Sequence, residues 1–208
     1  IQGSLPAGQT YVNFLMPGIF VQTIVFGALT TGVGLADDLH KGLIDRFRSL
    51  PMARSAVLVG RTLADLVRNV FVVILMCIVG FLVGWTIGTD FLGLLGAIAI
   101  IIAFSYSLSW VFAIVGLSVK DAETAQAVSF PILAPLVFAS SAFVPVATMP
   151  SWLQGWAKNQ PVSVVVNAAR QLTIGGPIYH DVIKAIIWIV AIVAVCAPIA
   201  VYRYRKVV

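Results

Sequence analysis

The side chains able to do ionic, acid–base or metal chemistry are few in this chain, and they are gathered. Residues 37–68 carry six of the thirteen Lys and Arg residues and four of the eight Asp and Glu: Asp37, Asp38, Lys41, Asp45, Arg46, Arg48, Arg54, Arg61, Asp65 and Arg68. Such a run of mixed sign is a segment built for water. The rest offers no catalytic set. No GxxxxGK[ST] phosphate loop, GxGxxG fingerprint, HExxH pair or GxSxG elbow occurs. His40 and His180 stand alone, which reads as solvated surface rather than metal ligation. Cys77 and Cys196 lie deep in separate apolar runs without a CxxC or His partner, as small packing residues do.

The elements that position these groups follow from composition. Of 208 residues, 60% are hydrophobic and 10% charged, and the mean hydropathy is +1.02. A water-soluble domain of that composition has no residues left for its surface, so the solvent is lipid. A helix crosses a hydrocarbon core of about 30 Å with roughly 20 apolar residues. Several runs meet that length, and no alternating barrel-strand pattern is present. The net charge of +5 sits at the ends of the runs without interleaved aromatics, which fits membrane orientation and excludes nucleic acid as a partner.

These patterns predict an all-α integral membrane protein, a polytopic helical bundle forming one transmembrane domain over 1–208. Five spans are expected, at 11–36, 67–85, 91–119, 125–146 and 182–202. Between the first two lies a polar segment, 37–66. Within it Leu39, Leu43, Phe47 and Leu50 recur at helical spacing while Lys41, Asp45 and Arg48 take other faces, predicting an amphipathic helix. Asp37 or Asp38 would cap its start and Pro51 would end it. Periodicity alone leaves open whether this helix docks on a partner or rests on lipid headgroups.

Ala28 and Gly32 at small-xxx-small spacing, and the ladder Gly80, Gly84 and Gly88, predict close contacts between helices. Arg61, Asp65 and Arg68 are spaced to pair along one helix face near the interface. Pro131 and Pro135 predict a bend or local unwinding in the fourth span. Residues 147–176 mix apolar stripes with polar residues and are cut by Pro150 and Pro161, which predicts two short re-entrant or interfacial helices with Trp152 and Trp156 at headgroup level. An amphiphile path is expected along Ser105 and Ser109 with Phe130, Phe138 and Phe143. Trp152, Trp156, Asn159 and Pro161 would form an external gate. The competing reading of these prolines, serines and indoles is packing and anchoring alone.

Lys/Arg bias sets the expected orientation. With the central segment, Lys120 and the tail inside, ten of thirteen basic residues are cytoplasmic and Lys158, Arg170 and Lys184 external. The visible N-terminus is then external and the C-terminus cytoplasmic.

The stretch 35–65 resembles the loop before the third span of type-2 ABC exporter permeases, whose pattern is K-G-x-[LI]-[DE]-R-x-[RL]-S-x-P. Lys41, Gly42, Asp45, Arg46, Ser49 and Pro51 match that pattern, and Phe47 and Arg48 match the daunorubicin-resistance branch. The stretch 149–172 resembles the family's external helices with their N-P-[VLI]-[ST] core, except that Gln160 separates Asn159 from Pro161. The resemblance implies six spans, so one more before residue 1, and a half-transporter pairing with a second permease copy or paralogue in the cell membrane. It also implies cytosolic ABC ATPase subunits that bind ATP and Mg, with no cofactor in this chain. Residues 39–50 become the coupling helix, with Leu39, Lys41, Leu43, Asp45, Arg46, Phe47, Arg48, Leu50 and Pro51 contacting the ATPase. The function implied is export of a hydrophobic or amphipathic drug or lipid. The alternatives are a secondary carrier, which would show midplane ionisable residues or inverted repeats, and a lipid-acting enzyme, which would show a catalytic cluster. Neither feature is found.

Overall fold

The computed structural model describes residues 11–41, 54–143, 146–176 and 178–207. Among them every regular element is helical: α1 (Tyr11–His40), α2 (Arg54–Leu82), α3 (Phe91–Gly116), α4 (Ala122–Phe138), a 3-10 turn (Val146–Thr148), α5 (Ser151–Asn159), α6 (Pro161–Ile174) and α7 (Ile178–Val207). Four stretches are long and apolar enough to cross a membrane: Tyr11–His40, Leu58–Leu82, Phe91–Gly116 and His180–Lys206. A helix meets the demand of lipid that every backbone N–H and C=O be bonded, because it bonds them within its own segment.

α1 and α3 form the centre. Their backbones meet at Gly32 and Gly116, where a Cβ on either would overlap the other helix's main chain. Ala28, one turn before Gly32, is fully buried in the same interface. The expected small-residue contact is therefore present. Around this pair, Phe20, Val21, Ile24, Ile101, Phe104, Phe112 and the valines of α6 make one apolar core. A second cluster, Leu35, Leu58, Trp110, Leu117 and Tyr204, closes the charged end.

Several boundaries differ from the sequence expectation. α1 runs on to His40, so Asp37 and Asp38 lie inside it and start no new helix. α2 begins at Arg54, well before residue 67, and ends at Leu82. It stops because Gly84 takes φ +92°. The Gly84 amide donates to Phe81 O at 3.1 Å and the Trp85 amide to Gly80 O at 2.9 Å, the paired bonds of a Schellman cap. Trp85 then folds back edge-on to Phe20, with ring centroids 5.2 Å apart. The glycine ladder is thus broken after Gly80. Gly84 makes the turn, and Gly88 lies in the following loop with its amide on Thr173 O at 2.9 Å.

α3 ends at Gly116 rather than 119, and α7 extends beyond 182–202 at both ends. α4 has 17 residues, beginning at Ala122 and ending at Phe138 instead of 146. At 1.5 Å per residue it is about 26 Å long, short of a hydrocarbon core of about 30 Å. The helix continues through Pro131 and Pro135 and stops one turn beyond them. Each proline lacks the N–H that would bond the carbonyl four residues back, so the final turns have little to resist unwinding.

Candidate functional site

Three polar regions interrupt the apolar bundle: a charged end, a seam between α1, α2 and α3, and the α5–α6 segment at the opposite end.

At the charged end the last turn of α1 faces the start of α2. Asp38 pairs with Arg61, whose guanidinium lies so close over Gly34 that a Cβ there would collide with it. Lys41 pairs with Asp37 at 2.7 Å on the exposed side. Arg61 thus takes Asp38 as its carboxylate, while the expected Asp65–Arg68 pair is present at 3.7 Å. Arg203 of α7 donates to Ser118 beyond α3, so the tail sits at the same end. Asp121 caps α4 by accepting from the Thr124 amide at 2.7 Å. That hydrogen bond holds the Asp121 carboxyl below the usual carboxylate range, with nearby His40 adding to the effect. Leu39 belongs to the end of α1 and Lys41 follows it. Leu43, Asp45, Arg46, Phe47, Arg48, Leu50 and Pro51 lie outside the described residues.

In the seam, polar side chains of α2 reach into α1 and α3. The Thr31 hydroxyl donates to Asp65 Oδ2 at 2.6 Å and lies 3.2 Å from Ser109 Oγ. Asn69 Nδ2 donates to Ser105 Oγ at 2.6 Å, beside Gly27. Arg68 donates to Gly27 O at 2.8 Å and Thr30 Oγ1 at 2.5 Å. A buried amide or hydroxyl in lipid must find such a partner, and here they find one another. Ser105 and Ser109 are therefore buried and bonded within the chain. Phe130 and Phe138 are exposed on α4, and Phe143 is half-buried against the core beyond the end of α4. The five residues expected to line one path are thus divided among an interior seam, an outward-facing helix and the turn beyond that helix.

The opposite end holds a feature that the sequence expectation missed. α5 is peripheral: Trp152 is 79% exposed and Trp156 44%, as headgroup anchors would be. Asn159 Nδ2 donates to Gly155 O at 3.0 Å. Gln160 is the joint between α5 and α6, and Pro161 takes the first helical position of α6, where its missing N–H costs nothing. α6 is no surface helix. Its valines and alanines are buried among α1, α3 and α7.

From the cap of α6 along the helix, Gln160, Ser163, Asn167 and Arg170 follow at steps of three, four and three, and all four reach the turn just after α4. Gln160 Nε2 donates to Ala139 O at 2.9 Å. Ser163 Oγ accepts from the Ser141 amide at 2.9 Å. Asn167 Oδ1 accepts from Ser141 Oγ at 3.0 Å. Arg170 donates to Ser141 O at 2.7 Å and Ala142 O at 2.8 Å. Its Nε reaches across to Phe14 O on α1 at 2.9 Å, and the guanidinium carbon is 3.7 Å from the Phe14 ring centroid. The side chains of α6 thus replace backbone partners that 139–142 lacks where α4 has unwound. Polar residues at helical spacing inside the apolar stretch 160–170 were the available signal. Among the described residues no group of three His, Cys, Asp or Glu could hold a metal.

The model of the ABC-2 type transporter family matches residues 1–174. Over 198 residues the chain is 36% identical to the daunorubicin resistance ABC transporter permease protein DrrB1 of Streptomyces coeruleorubidus, covering 95% of this chain and 70% of that protein. It is 25% identical over 192 residues to a Mycobacterium tuberculosis protein named "Probable doxorubicin resistance ABC transporter permease protein DrrC", covering 92% and 69%. A doxorubicin resistance ABC transporter permease protein DrrB of the same species is 24% identical over 160 residues, covering 77% and 55%.

Proposed function

The chain belongs to the ABC-2 type transporter family, and we propose that it forms half of an exporter pore moving an amphipathic, drug-like compound out of the cell. It is a multi-pass membrane subunit of a transporter and not an enzyme. Partnership with ABC ATPase subunits follows from the family. The proposal goes further. Those subunits bind ATP and Mg and dock on residues 39–51, a second copy or paralogue of the permease completes the pore, and lipid surrounds both. The charged end is then cytoplasmic and residue 11 external, in line with the Lys/Arg bias.

The observation that carries this reading is the Asp38–Arg61 pair. It ties the end of α1 to the start of α2, the two helices that residues 42–53 connect in sequence, so a push received by that segment is delivered to two spans together. The seam bonds Thr31–Asp65 and Asn69–Ser105 pass the same displacement on to α3. The daunorubicin and doxorubicin resistance for which these relatives are named supports a drug-like substrate. Exposed Phe130 and Phe138 supply aromatic surface for such a molecule at the junction of two permeases.

Charge reversal at Arg46 or Arg48 is the test. ATPase copurification and substrate-stimulated ATP hydrolysis should fall while membrane insertion stays normal. Full coupling in both variants would show that the segment merely rests on lipid.

A further inference from the structure

α6 is attached to its surroundings unevenly. Toward the end of α4 it makes the four-residue ladder Gln160, Ser163, Asn167 and Arg170, each bonded to 139–142. At its own C-terminus, Thr173 O accepts from the Gly88 amide at 2.9 Å and Leu172 O from Thr89 Oγ1 at 2.6 Å. Gln171 donates to Asp181 at the start of α7 at 2.5 Å. Toward α1, among the described residues, one side chain of α6 makes a hydrogen bond: Arg170, to Phe14 O. The Ala142 carbonyl that Arg170 also holds is pressed against Gly18 of α1, where a Cβ would overlap it.

We infer that Arg170 is the positioning residue of the external gate, the latch that keeps α6 and the 139–142 turn closed against α1. The inference rests on the export reading above. α6 and 139–142 are bonded densely enough to move as one body, with the Leu172–Thr173 contacts to the α2–α3 loop as the pivot. Besides the apolar packing of α6 and Ala142 on α1, opening this body away from α1 breaks, among the described residues, one hydrogen bond and one cation–ring contact, both made by Arg170 to Phe14. Among the described residues no acidic side chain is bonded to the guanidinium, so it is held by carbonyl dipoles and a ring face. On opening it keeps two carbonyl partners, Ser141 and Ala142, and so is never left bare in the apolar interior. That makes the latch reversible, whereas a buried ion pair would trap it.

The experiment uses the full permease with its ATPase in lipid nanodiscs. Spin labels are placed at exposed Tyr11→Cys and Lys158→Cys in a C77A/C196A background, and distances are read by pulsed electron paramagnetic resonance. Without nucleotide the parent should show one short distance, with a longer population appearing when ATP is trapped. Arg170→Lys, which keeps the charge but loses the fork, should raise the long-distance population severalfold without nucleotide. Phe14→Leu, which removes only the ring, should raise it less. Ser163→Ala, inside the moving body, should leave it unchanged. Both latch variants keeping the parent's nucleotide-free distance would overturn the inference, and if Arg170→Lys does not accumulate, Phe14→Leu decides alone. A parent distance indifferent to ATP while export proceeds would also overturn it. An ATPase that fails to bind would instead sink the export reading, because the nucleotide-free distances still report on the latch.

Discussion

Arg170 and Phe14 are joined twice: Nε donates to the Phe14 carbonyl at 2.9 Å, and the guanidinium carbon stands 3.7 Å from the centre of the same residue's ring. Backbone and side chain of α1 are thus held by one residue of a helix 156 positions later in the chain. A cation is tolerated in that apolar setting because its donors face carbonyl oxygens and its face meets a π-cloud.

The α1–α3 crossing has no room for side chains at its two glycines. Gly32→Ala should lower stability by about 1–3 kcal/mol, because the new methyl meets the Phe112 backbone and neither helix can retreat without opening the core. Gly60→Ala is the matched control, with nothing within 4 Å. It should be neutral or stabilising by up to about 1 kcal/mol, from helix propensity. Thermal unfolding of the two variants in detergent distinguishes them.

Asp38 and Arg61 should behave as a unit in coupling. Asp38→Arg or Arg61→Asp alone should reduce substrate-stimulated ATP hydrolysis, and the double swap should recover most of it. The stability part of the coupling is expected at about 1 kcal/mol or less, since both groups retain some solvent. Equal loss in single and double variants would mean that each residue acts through some other contact.

Hydroxyls of the seam and aromatics of α4 should separate by phenotype. Asn69→Leu strands the Ser105 hydroxyl and should cost about 1–3 kcal/mol, and Ser105→Ala added to it should restore part of that loss. Substrate preference should not move in either. Phe138→Ala, at an exposed position, should leave thermal stability within about 0.5 kcal/mol and change the ranking of transported compounds. A shifted ranking in the seam variants would put Ser105 back on the path.

Asp121 predicts an acid limit for the start of α4. Its folded value lies below the unfolded one because the charged carboxylate accepts from Thr124 N. The cap's contribution is therefore complete above the usual carboxylate range and is lost as pH falls through the lowered value. Asp121→Asn keeps an acceptor at every pH and should flatten the acid side of the curve of thermal midpoint against pH. Asp121→Ala should lower the midpoint at neutral pH. Superimposable curves for the parent and Asp121→Asn would refute the assignment.

What the sequence determined by itself is everything that depends on solvent and period. Apolar run length put helices in lipid, charge placement separated one end from the other, and Ala28 with Gly32 marked the central crossing. The two charged and external motifs were enough to show the family resemblance. Boundaries were another matter, because a lipid-soluble sequence reads alike whether its backbone is helical or turning. Gly84 looks like a third rung of a ladder until its positive φ makes it a cap. Phe143 looks like the end of a span until α4 stops at Phe138. The role of Arg170 lay furthest from view. In sequence it is one more external cation, and only the packing of α6 against α1 and the unwound end of α4 gives it three carbonyls and a ring. Those partners come from residues 14, 141 and 142, and no local spacing encodes a meeting that the tertiary fold alone brings about.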